Sequence, residues 1–352
     1  MNLSTVAVIT KLEVRQRIRS TRWKWTALAL FGLLSAIVFG SLYVTTLGSD
    51  DYHDWARELL TIALGTVLFV GMVGAPAISA AAINGDRRDG TLALVQVTPI
   101  SAAELALGKW LGAWLASLTF LAIASPYLIW GIAEAASSVL FSVIAVVVVA
   151  VLLGCYCAIG LGFSALSNRP TASTMLTLST VLFLLLGLPA IYGLALPSVE
   201  RTHTVLRPQH GWDPARAAAD PEYAGEPCVA QPKKVTFHHT EDVWWLLAPN
   251  PVLIVADTLA AGTARTNDWA ISVPRSTANT LASARSGPYI TDLSCDSERW
   301  WEDENRYAES DLGRSWYLGV AVTVVLGLVG FAVAVRRLRV PAGKLAKGVR
   351  VA

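Results

Sequence analysis

Ala135–Ser167 reads AASSVLFSVIAVVVVAVLLGCYCAIGLGFSALS, 33 residues without an Asp, Glu, Lys, Arg or His. A helix needs about 20 apolar residues to cross a bilayer. Five more stretches share the property: Trp25–Leu47, Leu59–Ile83, Trp110–Ala133, Pro170–Val199 and Ser315–Val335. The shortest of them has 21 residues. The predicted fold is therefore an all-α integral membrane protein with six transmembrane helices. Hydrophobic residues make up 54% of the chain and charged ones 15%, where a soluble domain carries about a quarter. Ion-coupled carriers place ionisable groups at membrane depth, because those groups carry the coupling ion. With none there, uphill transport would need another source of energy.

The charges between the spans indicate sidedness. If both termini are cytoplasmic, the inner segments are Met1–Lys24, Asn84–Lys109, Asn168–Arg169 and Arg336–Ala352. These hold 16 of the 28 Lys and Arg against four acids: Glu13, Asp86, Asp89 and Glu104. The outer segments hold 12 bases and 22 acids. Lys and Arg in short flanks favour the cytoplasmic side, and Trp favours the interfaces. Arg22, Lys24, Arg87, Arg88, Lys109, Arg336, Arg337 and Arg339 lie at inner ends. Trp23, Trp25, Trp55, Trp110, Trp130 and Trp316 lie at span ends. Both termini are expected in the cytoplasm and the chain in the plasma (inner) membrane. Twenty-four residues precede the first span, and that span is too long for a signal core. No cleavage is expected.

This divides the chain into an inner segment 1–24, spans one to five over 25–197 with an inner loop 84–109, a large extracellular insertion 198–315, span six over 316–335, and a basic tail 336–352. Most of the insertion reads as turns and loop. Asp242–Ala261 (DVWWLLAPNPVLIVADTLAA) differs, because its apolar core is too short to span. It reads either as a re-entrant segment broken at Pro249-Asn250-Pro251 or as a helix buried in an external domain. Leu3–Trp25 is basic and amphipathic. It fits a helix lying in the inner interface, with Arg15, Arg17 and Arg19 toward acidic headgroups, or an ordinary basic flank. Pro76, Pro126 and Pro189 fall inside spans. Each frees a carbonyl that needs another partner. Gly32, Ala36 and Gly40, and likewise Gly319, Thr323 and Gly327, permit close helix contact.

The inner loop holds the most specific text: Asn84-Gly85-Asp86-Arg87-Arg88-Asp89-Gly90-Thr91-Leu92-Ala93-Leu94-Val95-Gln96-Val97-Thr98-Pro99-Ile100-Ser101, then Glu104, Gly108 and Lys109. Thr91–Val97 is a short apolar helix or strand. Ser101 with Glu104 three residues on is a capping box. A short element therefore turns into a helix leading to span three.

In these positions the chain resembles the membrane subunits of ABC-type exporters, the type-2 ABC transporter permease superfamily. The matching features are the acidic–basic–acidic run Asp86, Arg87, Arg88, Asp89, then Gly90-Thr91-Leu92, Thr98-Pro99-Ile100-Ser101 and Gly108-Lys109. The resemblance implies an N-terminal interfacial helix and a loop that docks on a cytosolic ATPase as a coupling element. That element comprises Asp86, Arg87, Arg88, Asp89, Gly90, Thr91, Leu92, Thr98, Pro99, Ser101 and Glu104. It also implies an outer gate at Pro249, Asn250 and Pro251. Two departures stand out: Ala93, where many relatives have an acid, and the length of the insertion.

No phosphate loop occurs: Gly108-Lys109 and Gly343-Lys344 are followed by Trp110 and Leu345. No cofactor is expected in this chain; ATP and Mg belong to a partner ATPase. Cys155 and Cys157 fall in a span and read as packing residues. Cys228 and Cys295 share the insertion, where an oxidising compartment favours a disulfide over two free thiols. All five histidines fall outside without recognisable metal-ligand spacing, so no metal is expected. Nor does a catalytic arrangement emerge.

The expected function is the permease subunit of an ATP-driven exporter of amphiphilic, lipid-like or drug-like molecules. Its partners would be ABC ATPase subunits, a second copy or a related permease, the bilayer, and an extracytoplasmic protein at the insertion; nucleic acid is not expected. The rivals are a mechanotransmitting or signalling subunit acting through the insertion, an integral membrane enzyme, and an ion-coupled carrier. Uncharged spans argue against the last two.

Overall fold

The structure is a computed structural model that describes residues 2–48, 51–90, 92, 100–209, 218, 228–263, 273–295 and 300–339. Six helical segments are long and apolar enough to cross a membrane. An N-terminal helix, α1 (Leu3–Ile18), precedes them, capped by the Asn2 side chain. A break at Ser20, whose hydroxyl accepts from the Trp23 N–H, starts α2 (Thr21–Leu47). The basic N-terminal stretch thus contains a helix of its own, separate from the first span. Next come α3 (Tyr52–Ser79), the short α4 (Asn84–Arg88), α5 (Ala102–Glu134) and α6 (Val139–Leu166).

The fifth span is composite. Helix α7 (Pro170–Leu182) passes through a π-helical turn, Phe183–Gly187, into α8 (Leu188–Ala195). The sixth span is α12 (Trp316–Leu338). Helix α6 is the centre of the bundle and packs on α3, α5, α7 and α12. Leu60, Leu64 and Leu68 of α3 meet Leu152, Leu153 and Tyr156 of α6 in the main core. Helix α2 is peripheral, touching mainly α3 and α5. Its Gly32 and Gly40 face open space, whereas Gly327 of α12 lies against the Cys155 backbone. Among the described residues, the second small-residue face is packed and the first is not.

A smaller cluster closes the end that carries the termini. There Ile83, Leu92, Leu105, Leu161, Ala334 and Leu338 pack together with Ile9 of α1. The opposite end carries the insertion. Part of this insertion is β structure, a difference from the all-α expectation. Strands β1 (Glu200–Gln209) and β2 (Val229–His238) form an antiparallel ribbon, with Glu200 opposite His238 and Gln209 opposite Val229. Thr202, Thr204, Val205, Val235 and Thr236 favour this form, since β-branched side chains suit a pleated surface. The turn residues of the sequence masked that run. On the free side of β1 the Leu293 N–H donates to the Leu206 carbonyl, 3.0 Å. Cys228 and Cys295 are joined there, Cα–Cα 5.9 Å.

The rest of the described insertion is helical: α9 (Pro251–Ala260), α10 (Val273–Ser286) and α11 (Trp300–Glu309). Short 3-10 turns, Thr240–Asp242 and Trp244–Leu246, lead into α9. The segment is divided at Asn250: the 3-10 turns precede it, and α9 follows, buried and packed on α3, α6 and α12 on one side and on α10 on the other.

Candidate coupling and gating sites

At the termini end, α4 and the start of α5 frame the inner loop. Asp86, Arg87 and Arg88 lie on α4, and Asp89 is its C-cap. Gly90 has φ +70°, a left-handed conformation that favours glycine. Leu92 is buried. Thr91, Thr98 and Pro99 lie outside the described residues, as does most of the stretch expected to form a short apolar element. Ser101 caps α5 in a full capping box with Glu104. The same Glu104 carboxylate also accepts the Asn2 N–H, which pins the start of α1 to the start of α5.

Helix α1 lies in a groove made by two glycines one turn apart on α5. A Cβ on Gly108 would stand 2.7 Å from the Ile9 side chain, and one on Gly112 would stand 2.5 Å from Glu13. This close approach brings four charges together. The Lys109 ammonium, 5% exposed, donates to Glu13 Oε1 at 2.7 Å and to Asp86 Oδ2 at 2.6 Å. Arg17 Nη2 reaches Glu13 Oε2 at 3.3 Å, and its Nη1 donates to the Ile78 carbonyl at the end of α3. Arg17 therefore faces the bundle rather than headgroups. The four charges sum to zero and join α1, α3, α4 and α5.

Burial alone would raise the Glu13 carboxyl, but Lys109 and Arg17 outweigh it and hold its pKa below the ordinary value. A buried ammonium is tolerable only when paired. Removing one partner of a buried pair costs about 3–5 kcal/mol. The sequence marked Asp86 from its loop motif but not Lys109 as a cation shared with Glu13, because Glu13 and Lys109 lie 96 positions apart in the chain.

At the insertion end, Asn250 is buried and has two functions. Its Oδ1 accepts from the Val252 and Leu253 N–H groups and caps α9. Its Nδ2 donates to the Leu185 carbonyl, 2.9 Å away in the π-helical turn. Pro189 lacks the N–H that would otherwise serve that carbonyl four residues back. The proline in span five and the asparagine of the expected gate are thus two halves of one hydrogen-bonding problem. Pro251 occupies the first turn of α9, where a missing N–H costs little.

Asp257 also joins the insertion to a span. It is fully buried, and its carboxylate accepts from the backbone N–H groups of Gly313, Ser315 and Trp316 at 2.7–2.8 Å. It thereby caps the start of α12, where a carboxylate is favoured by both the free N–H groups and the helix dipole. Burial nevertheless pushes its pKa up, against the three N–H donors. In the sequence this was only the last charge of an apolar segment. Among the described residues no group of three or more His, Cys, Asp or Glu is placed to hold a metal.

One family model matches most of the chain. The model described as ABC-2 family transporter protein matches residues 7–256. The chain belongs to this ABC-2 family. It is a multi-pass membrane permease of the ABC transporter class, a transport component rather than a nucleotide-binding subunit. The match takes in most of α1, the clasp, the first five spans and most of α9. A search of curated proteins finds no significant match.

Proposed function

We propose that this ABC-2 permease is the membrane subunit of an ATP-driven exporter, with both termini in the cytoplasm of a cell bounded by its inner membrane. Cytosolic ATPase subunits bearing ATP and Mg would dock at residues 84–109, and a second permease chain would complete the pathway. Amphiphilic, lipid-like or drug-like molecules suit spans without fixed charge. The observation that carries this reading is Lys109, buried between Glu13 and Asp86. A push on α4 is transmitted through it to α1 and to the long helix α5 at once. Each partner can change its pairing while the net charge stays zero, which suits an element with two arrangements.

Coupling is tested by Gly90→Pro in the complex purified with its ATPase. The backbone at +70° excludes proline, yet the position is open to solvent-side space. Abundance should stay normal while substrate-stimulated ATP hydrolysis disappears; persistent stimulation would remove this loop from the transmission path. Sidedness is tested by single cysteines at Thr277 and Lys347, with Cys155 and Cys157 replaced. An impermeant thiol reagent should label the first and spare the second in intact cells.

A second reading keeps the ATPase but replaces transport with mechanical control of an extracytoplasmic partner. It is favoured by the two residues that tie the insertion to spans five and six, Asn250 to Leu185 and Asp257 to the start of α12. ATP-dependent uptake into inverted vesicles separates the two readings.

A further inference from the structure

The insertion brings together two histidines that lie far apart in the chain. His203 sits on β1, and His239 follows β2 directly. Their Nε2 atoms face each other at 2.9 Å. On the other side of its ring, His239 Nδ1 meets Glu241 Oε1 at 2.7 Å. The second oxygen of that carboxylate, Oε2, is buried without a hydrogen-bond partner. It fits there because residue 287 is glycine: a Cβ would fall 2.1 Å from Oε2. His239 is buried and His203 half-buried.

We propose that this pair is a chelate for a late first-row divalent cation, best represented by zinc. Imidazole nitrogen suits zinc, copper and nickel, whereas magnesium and calcium prefer oxygen. Tetrahedral zinc with Zn–N about 2.0–2.1 Å requires ligand nitrogens about 3.3 Å apart. The rings need to part by a few tenths of an ångström and each to turn by about 35°, so that two lone pairs aimed along the N···N line meet on one ion. Glu241 is placed as the carboxylate behind a metal-ligating histidine, which fixes the ring tautomer and raises its basicity. With Nδ1–H donated to Glu241, His239 Nε2 is left bare. His203 supplies the single hydrogen of the present contact. It becomes a ligand by moving that proton from Nε2 to Nδ1, so binding needs no net proton release. The Glu241 carboxylate, with one oxygen unmatched, offsets part of the added charge. Two coordination positions remain for water or for a donor group of an incoming molecule. The bound ion would fasten β1 to the turn that leads into α9.

The test uses the full-length protein in detergent with any affinity tag removed. Zinc is titrated and counted by elemental analysis, with magnesium as the control. One zinc per chain is expected, absent from His203→Gln and from His239→Gln but retained by His238→Gln. Glu241→Gln should weaken binding about 10–100-fold. As a measurement free of mutation, diethyl pyrocarbonate modification mapped by mass spectrometry should show zinc protecting His203 and His239. Binding that survives either histidine substitution, wild-type protein that takes up no more zinc than magnesium, or histidines equally reactive with and without zinc would each overturn the proposal.

Discussion

The two ends of the bundle are held by different chemistry. At the termini end, α1 is fixed to α4 and α5 by Glu13, Lys109, Asp86 and Arg17, a set of long charged side chains. At the insertion end, α9 is fixed by backbone-directed hydrogen bonds from Asn250 and Asp257, and the ribbon by a disulfide. Ion pairs between flexible side chains can exchange partners as helices slide. Capping bonds and a covalent bridge hold one arrangement. The termini end is therefore suited to change shape, and the insertion end to move as a unit with the spans it caps.

The most damaging way to break this contrast is Lys109→Met. It removes the cation that Glu13 and Asp86 share and leaves Glu13 to Arg17 alone, at a cost of about 3–5 kcal/mol. The abundance of folded protein in detergent should fall sharply. The triple variant Lys109→Met, Glu13→Gln, Asp86→Asn should regain most of it while failing to couple. If the single and triple variants behave alike, the clasp is not an electrostatic unit.

Opening the other end comes next. Cys228 and Cys295 are 67 positions apart, and linking a loop of that size is worth about 4 kcal/mol in the chain-entropy picture. Cys295→Ser should make the ribbon sensitive to protease while the spans remain resistant. Loss of the whole protein instead would mean that the insertion and bundle fold as one.

Asp257→Asn is expected to cost about 2–3 kcal/mol, since both carboxylate oxygens accept N–H donors and the amide nitrogen that replaces one of them cannot. Its mark should be faster hydrogen exchange at Gly313–Trp316, with no change around α1. Asn250→Ala removes a cap worth about 1 kcal/mol and strands the Leu185 carbonyl. Exchange should quicken at the start of α9, and a transport defect with unchanged abundance would support a gate here.

The smallest effect is on pH dependence. The Glu13 pKa lies below its ordinary value of 4.5 when folded. Its contribution is thus complete above 4.5 and is lost as pH falls through the lowered folded value. The stability difference between wild type and Glu13→Gln should be flat from neutrality down to about pH 4.5 and then shrink. A difference that grows on acidification would show that the carboxylate is not held by Lys109 and Arg17.

How much was legible in the sequence follows from the range of each interaction. The Ser101–Glu104 capping box joins residues three apart, and the structure contains it as read. Asn250 could be marked from its local step, and Pro189 from its place in a span, but not as partners, because 65 positions separate Asn250 from Leu185. The ribbon was read as loop. Its strands are weakly patterned, and their pairing crosses an intervening stretch rich in turn residues. His203 and His239 share no local spacing that marks them as neighbours: the fold of the ribbon and of the turn after β2 is what brings their side chains together.

Composition and local pattern were enough to determine six membrane spans, a capped helix after the inner loop and an apolar segment too short to cross. These follow from how many consecutive residues lack charge and from hydrogen bonds within one helical turn. Only the tertiary structure decided that α1 lies along α5, that Lys109 joins it to α4, and that α9 closes the bundle under the insertion. Those choices depend on which helix faces come within contact distance. Here that was settled by two missing Cβ atoms at Gly108 and Gly112, by a carbonyl freed by Pro189, and by the need of each buried charge for a partner.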